Sequence, residues 1–137
     1  MMIIVSGPRG GNVHPDLKDL VVDATYFFAK QLKIDRLSLE LNVRMYHSSM
    51  VDSDAEGYCL ARSTRVFDID VCVYTNLLKT LAHEMVHVRQ WARKELSLDR
   101  TFWKKRKYGS DYDYWTSPWE VEARKLQDTL VKAYETC

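Results

Sequence analysis

The sequence predicts an α+β fold: a packing helix, a small antiparallel or mixed three-stranded sheet, a second helix and a C-terminal helix. Changes of hydrophobic period support this prediction. Apolar residues recur at helical spacing over residues 16–33, alternate with polar residues over 37–46 and 67–73, and return to helical spacing afterwards. At 137 residues the chain has the size of a single domain, which we expect to span 1–137.

The first helix is predicted over residues 16–33. Asp16 and Asp19 stand near its start, where the helix dipole favours negative charge. Residues 6–15 are rich in glycine and proline and predict a loop. They lack the Gly-Lys-Ser/Thr ending of a phosphate-binding loop, so we expect no nucleotide site there. The apolar stripe of the helix comprises Leu17, Leu20, Val21, Ala24, Phe28 and Leu32.

Three strands are predicted next. The first covers residues 37–46, the second covers 58–63 after a polar, turn-forming segment at 47–57, and the third covers 67–73. Asp68 and Asp70 lie on one face of the third strand. Outward-pointing acidic residues often protect a sheet edge from aggregation, although such an edge can also pair with an extended substrate. We expect protection.

Two helices complete the prediction. One runs from about residue 76 to about residue 96, with Thr75 or Asn76 as its N-cap. The aromatic and charged segment 97–116 predicts an ordered loop. The last helix opens with Ser117 at the cap and Pro118 at the first helical position, and continues to about residue 134. The predicted core stripes are Leu78, Leu81, Met85, Val88 and Ala92, then Trp119, Ala123, Leu126, Leu130 and Ala133.

Composition excludes several classes of protein. Hydrophobic residues make up 46% and charged residues 28%, as in ordinary globular chains, and a net charge of +1 predicts no polyanionic partner. The apolar residues 1–5 are too few for a signal peptide, and no run approaches the roughly 20 apolar residues of a membrane span. We therefore expect a soluble cytoplasmic protein. Cys59, Cys72 and Cys137 form no CxxC pair and are expected to be reduced thiols.

The motif His83-Glu84-Met85-Val86-His87 lies within the predicted second helix. Four residues advance a helix by about 400°, so both imidazoles project from one face and can reach one zinc ion. Glu84 is rotated by about 100° from His83 and can contact a water beside the metal without coordinating it. A carboxylate there can take a proton from water and later deliver it to the leaving amine.

This motif is specific. A chance HExxH in a chain of this length is expected on the order of once in a few hundred cases. The alternative is a helix with two solvated histidines and an ion-paired glutamate. The mid-helix position after a strand region favours the metal site.

HEMVH, preceded by strands and followed by a helix with a glutamate, resembles the zincin metallopeptidases of the gluzincin type. In that group the third zinc ligand is a glutamate on the later helix, commonly in a Glu-x-x-Ala pattern, which Glu120-Val121-Glu122-Ala123 matches. The compact layout is similar to the minimal SprT-like and ImmA/IrrE-like proteins of bacteria and phages. The resemblance covers roughly residues 17–136.

The resemblance implies a zincin-like fold, a Zn²⁺ cofactor and hydrolysis of a protein or peptide substrate. It implies His83, His87 and Glu120 as metal ligands. It also implies Glu84 as the catalytic base.

The sequence departs from the family pattern at two places. Gluzincins often carry Asp, Asn or Glu four residues after the ligand glutamate, to orient a histidine, whereas this chain has Arg124. The orienting partner must then come from elsewhere, with Asp128, a backbone carbonyl and water as candidates. SprT-like enzymes usually use a third histidine, but neither His14 nor His47 follows the motif.

Glu120 also has two competing interpretations. Ser117-x-x-Glu120 has the form of a capping box, in which the glutamate bonds back to the Ser117 amide. Helical periodicity alone slightly favours Glu122, because it lies about 60° from the centre of the apolar stripe and Glu120 about 100°. The family pattern favours Glu120, which we expect to be the ligand.

Three tyrosines in the aromatic segment could stabilise an oxyanion: Tyr108, Tyr112 and Tyr114. Because Trp115 and Trp119 lie nearby, we expect these tyrosines to pack, and we assign none of them a catalytic role.

The segment between Arg89 and Lys107 is basic and contains interleaved aromatic residues. It could bind nucleic acid, although solvated cations at a helix end are the favoured interpretation. Two alternatives to a peptidase therefore remain: a nucleic-acid-associated protein with a structural metal, and an inactive zincin that acts as an interaction module. The cations are Arg89, Arg93, Lys94, Arg100, Lys104, Lys105, Arg106 and Lys107.

Overall fold

A computed structural model of the chain describes residues 1–8, 11–46, 57–73, 76–109 and 112–137. It is a mixed α and β structure with three helices and a small mixed sheet. The elements are β1 (Met2–Ser6), α1 (Pro15–Gln31), β2 (Glu40–Tyr46), β3 (Gly57–Ala61), β4 (Val66–Cys72), α2 (Leu77–Ala92), β5 (Phe102–Trp103), β6 (Arg106–Lys107) and α3 (Pro118–Glu135).

The main sheet has four strands in the order β1-β2-β4-β3, so the prediction of three strands is wrong. β1 pairs with β2 in parallel, β2 pairs with β4 in parallel, and β3 pairs with β4 in antiparallel fashion. The sequence pattern predicts no strand at Met2–Ser6 because five residues without polar alternation show no period. The parallel neighbours β1 and β2 are joined through α1, as parallel strands require a crossover.

One face of this sheet is covered by helices. β2 alternates buried residues at Leu41, Val43 and Met45 with partly or fully exposed polar residues, so its apolar side faces the helices. α1 and α2 pack on the sheet and on each other, and α3 packs on both helices. Within the described part of the chain, one hydrophobic cluster joins the three helices to the sheet.

The predicted edge role of Asp68 and Asp70 is wrong, because β4 lies between β2 and β3. Asp68 accepts a hydrogen bond from Arg62 at 2.6 Å, and Asp70 accepts two from Arg44 at 2.8 and 3.1 Å. Asp70 therefore forms a cross-strand ion pair with Arg44 of β2, and Asp68 forms one with Arg62 in the turn after β3. The edge strands are β1 and β3.

The segment predicted as a loop at 97–116 contains a short antiparallel hairpin, β5 with β6. Trp103 of this hairpin is buried, with its ring 6.2 Å from that of Trp119. The hairpin thus packs against the start of α3.

Helices α2 and α3 begin where the sequence predicts, but their N-cap residues do not make the predicted capping hydrogen bonds. Asn76 precedes α2 with a left-handed backbone and makes no side-chain capping bond, and Thr75 lies outside the described residues, as does 47–56 of the predicted turn. Ser117 is the N-cap of α3 with Pro118 following it, but its hydroxyl donates to the Tyr114 carbonyl instead of capping. None of the described helices combines the length and the hydropathy of a membrane span.

β3 approaches α2 very closely at Gly57. A Cβ atom placed there would lie 2.4 Å from Thr80 Cγ2, 3.0 Å from the Asp70 carbonyl oxygen and 3.6 Å from Glu84 Cγ. The missing side chain is therefore what lets the first residue of β3 contact the helix beside Glu84.

We predict that Gly57→Ala destabilises the protein by about 1–3 kcal/mol, the usual cost of overpacking a close contact. Urea unfolding followed by circular dichroism measures this change. The double variant Gly57→Ala/Thr80→Ser removes the nearest methyl group and should recover part of the loss. Equal stability of Gly57→Ala and the wild type would contradict the close approach.

Candidate active site

Helix α2 places His83 and His87 one turn apart on the face that meets α3. Their ring centroids are 5.0 Å apart. His83 is partly buried, and His87 is buried more deeply, with only 5% of its side chain exposed. The segment 83–87 is helical, as the sequence predicts, and the two rings share one environment.

Glu120, in the first turn of α3, brings its carboxylate between the two rings. Oε2 lies 3.1 Å from His83 Nε2, and Oε1 lies 3.0 Å from His87 Nε2. The three side chains offer ligand atoms that all lie within 4.8 Å of one another. Glu120 itself is 2% exposed. Helices α2 and α3 thus bring together two imidazoles and a carboxylate, the groups from which metal sites are built.

Each histidine is oriented by a glutamine through its other ring nitrogen. Gln127 Oε1 lies 2.6 Å from His83 Nδ1, and Gln90 Oε1 lies 2.7 Å from His87 Nδ1. The expected partner Asp128 does not fill this role and instead lies 3.9 Å from Lys79.

The two glutamines were not anticipated, yet helical spacing contains a signal for them. Gln127 lies seven residues after Glu120, and Gln90 lies seven after His83, which places each on the same helix face two turns away. A glutamine amide carries no charge and is not a common metal ligand. The HExxH motif therefore gives no reason to choose a glutamine as the partner that orients a histidine.

The orientation of Gln90 is fixed by its other contacts. Its amide nitrogen donates to the Trp119 carbonyl at 3.0 Å and to Glu122 Oε1 at 3.1 Å, so its oxygen must accept from His87 Nδ1. A neutral His87 with the proton on Nδ1 then presents a lone pair toward Glu120 at 3.0 Å. Two acceptors at that distance require a shared cation, either a proton or a metal ion.

The donor set therefore fits a divalent metal. Two imidazole nitrogens and one carboxylate are the ligands that catalytic zinc sites of the two-histidine, one-glutamate class use, with a further position left for water. The glutamine contacts select the tautomer that exposes Nε2 as a ligand.

The sequence left two alternatives to Glu120 as a metal ligand: Glu122 could be the ligand, or Glu120 could form a capping box with Ser117. Glu122 points away from the histidine pair and accepts hydrogen bonds from Gln90 and Arg89 at 3.1 and 3.3 Å. The capping box is not formed, because the Ser117 amide donates to the Asp113 carbonyl at 3.0 Å and not to Glu120. The structure thus brings Glu120 to the histidines and gives Glu122 the role of holding Gln90.

Glu84 lines the same cavity as His83 and Glu120, although it is not part of the three-residue cluster among the described residues. The cavity has a volume of about 390 Å³ and opens to solvent between α2, α3 and the start of β3. Burial raises the pKa of Glu84, an effect that the two nearby imidazoles partly oppose. A carboxylate with a raised pKa is a stronger base than one on the surface.

The three tyrosines separate into two groups. Tyr108 and Tyr112 meet Trp119 edge to face at 5.5 and 4.8 Å, so these two pack as expected. Tyr114 instead lines the cavity, together with Glu84 and Glu120. Burial, followed by the charges of Glu120 and Glu84, raises the pKa of Tyr114 to about 12, which keeps its phenol protonated. Sequence reasoning gave no means to distinguish Tyr114 from its neighbours.

Several cations of the basic segment have partners within the protein. Arg93 donates to the Leu32 carbonyl, and Arg100 donates to the Cys59 carbonyl while lying 5.0 Å from the Trp91 ring centre. Lys104 lies 5.1 Å from the ring centre of Trp103, which is itself buried. These contacts agree with a structural use of the segment and leave the buried aromatic ring unavailable for base stacking.

Charge coupling holds the histidine–glutamate cluster together. Burial alone would raise the pKa of Glu120, but hydrogen bonds to both imidazoles outweigh it and hold that pKa well below 4.5. Burial would lower the pKa of His83, but the hydrogen bonds to Glu120 and Gln127 and the charges of Glu84 and Glu120 together outweigh burial and raise that pKa above 6.5.

A scan against protein-family models, a search of curated proteins and a search of solved structures each found no match to this chain.

We predict that metal-free protein, prepared with a chelator, is most stabilised by this cluster between pH 4.5 and pH 6.5. The contribution of Glu120 is present above its ordinary pKa of 4.5 and is lost as the pH falls below it. That of His83 is present below 6.5 and is lost as the pH rises through the higher folded pKa.

Urea unfolding from pH 3.5 to pH 8.5 tests this prediction against Glu120→Gln. Removing the carboxylate should flatten the pH dependence. If the variant kept the wild-type profile, the coupling between Glu120 and the histidines would be refuted.

Proposed function

We propose that this protein is a zinc-dependent metallopeptidase of the gluzincin type. The single observation that carries the proposal is the convergence of His83 Nε2, His87 Nε2 and the Glu120 carboxylate within 4.8 Å, beside a cavity lined by Glu84. His83, His87 and Glu120 would hold the ion. A zinc ion so bound supplies Lewis acidity and lowers the pKa of a coordinated water toward neutrality.

Glu84 is the proton carrier in this proposal. It follows His83 directly and faces the same cavity, within which a peptide carbonyl and a water molecule have room. Glu84 removes a proton from the attacking water as the oxygen adds to the carbonyl carbon. It then delivers that proton to the amide nitrogen as the carbon–nitrogen bond breaks, so the amine leaves neutral.

Tyr114 is the donor best placed for the developing oxyanion. Its phenol lies in the cavity with Glu84 and Glu120, and its raised pKa keeps the hydroxyl proton in place. A neutral donor aimed at the carbonyl oxygen stabilises the tetrahedral state without itself losing a proton.

The start of β3, at the edge of the sheet, offers a place for the substrate backbone. β3 is an edge strand, and its first residue, Gly57, lines the cavity beside Glu84. An extended peptide that pairs with this edge would bring its backbone next to the proton carrier.

We predict that Glu84→Gln retains zinc but loses cleavage by about 10²–10⁴-fold, because the amide keeps the shape and cannot accept the proton. Zinc content by plasma mass spectrometry and new peptide termini from a denatured proteome measure the two effects.

Glu95→Gln is the matched control, because Glu95 lies outside the cavity, near Lys104. It should keep both zinc and cleavage. If wild type and Glu84→Gln produced the same set of new termini, the peptidase proposal would be overturned. A metal-loaded wild type that cleaves nothing would instead indicate an interaction module.

We predict that Glu120→Ala lowers zinc affinity by at least about 100-fold, because one of three protein ligands is removed. Glu122→Ala should lower it far less, since Glu122 acts only through Gln90. Competition with a chromogenic chelator measures both affinities. The reverse order would show that the wrong glutamate has been assigned.

A further inference from the structure

The rim of the cavity carries positive charge on one side. Arg124 of α3 and Lys79 of α2 both line it, next to His83 and Gln127. Arg124 occupies the position where the gluzincin pattern would have an acidic or amide residue, so this charge is a property of this chain. The carboxylates that share the cavity, Glu84 and Glu120, belong to the proposed catalytic centre.

Arg124 is held in place without a carboxylate partner among the described residues. Its guanidinium carbon lies 4.6 Å from the ring centre of Trp115, and it donates a hydrogen bond to the Trp115 carbonyl. These contacts use one ring face and one N–H group. The remaining N–H groups of a guanidinium stay free to bind a planar anion in bidentate fashion.

Lys79 adds a second, more exposed charge. Its only carboxylate contact among the described residues is a 3.9 Å approach to Asp128, with the two side chains 49% and 73% exposed. Such an exposed pair is worth little, so Lys79 is available to a ligand. The positive end of the α2 dipole, whose first turn contains no acidic residue, adds to the same field.

We propose that Arg124, assisted by Lys79, selects substrates that carry a carboxylate close to the bond to be cut. The inference rests on the peptidase function proposed above and names the substrate class of that site. The carboxylate can belong to an Asp or Glu side chain or to the C-terminus of the peptide, because the chemistry recognised is the same. Trp115, which also lines the cavity, packs against the guanidinium.

The test uses zinc-loaded protein and fluorogenic peptides in which one Glu or Gln is moved through each position, each peptide made with a free and with an amidated C-terminus. At one position the Glu peptide should have a kcat/KM about tenfold above the Gln peptide, the scale of one charge-assisted hydrogen bond. An advantage of the free over the amidated C-terminus would identify the second source of the carboxylate.

The Arg124 variants determine whether this residue is responsible. In Arg124→Gln the ratio of acidic to neutral substrate should fall to about one, and in Arg124→Glu it should invert. Lys125→Gln is the matched control, since it removes a neighbouring exposed cation of α3 that does not line the cavity, and it should leave the ratio unchanged. A purely structural role of Arg124 would lower the melting temperature without changing the ratio, which overturns the inference.

A binding measurement separates this inference from the peptidase proposal. Zinc-loaded Glu84→Gln is titrated with the same labelled peptides by fluorescence anisotropy. Tighter binding of the acidic peptide, lost in Glu84→Gln/Arg124→Gln, supports the selection even if no peptide is cut. Equal affinity for acidic and neutral peptides overturns it, whereas an absence of cleavage by the wild type overturns only the proposed function.

Discussion

The structure depends on one buried carboxylate that must share a cation with two imidazoles. Glu120 is almost fully buried where α3 crosses α2, and an isolated charge there would be strongly destabilising. His83 and His87 approach it at 3.1 and 3.0 Å, so the packing of the two helices and the chemistry of the site are one arrangement. A change that separates α2 from α3 would expose the carboxylate and disperse the ligands together.

The groups that orient the two histidines are neutral amides. Gln127 and Gln90 direct the two histidines, and Gln90 is in turn held by Glu122, which also accepts from Arg89. Because an amide adds no negative charge, the positive charge of an ion bound there would be offset chiefly by the Glu120 carboxylate. The neutral glutamines also leave the positive charge at the rim of the cavity uncompensated. Carboxylates in their place would neutralise it.

Much of the arrangement follows from the sequence because it is local. The helical period fixes the spacing of His83 and His87, and the Ser-Pro pair fixes the start of α3. What the sequence could not supply depends on contacts between distant segments: the pairing of β1 with β2 and the entry of Tyr114 into the cavity. Periodicity slightly favoured Glu122 because the centre of the buried face was estimated from apolar residues alone. The buried face of α3 in fact includes Glu120.

The most direct test of the central claim is X-ray absorption at the zinc edge of protein loaded with one equivalent of zinc. We expect a first shell of nitrogen and oxygen at about 2.0–2.1 Å, with the multiple scattering of two imidazoles and no sulfur. A sulfur shell at about 2.3 Å would place the metal on cysteine, Cys137 being the exposed thiol, and would contradict the account. A protein that retains no zinc after gel filtration would contradict it equally.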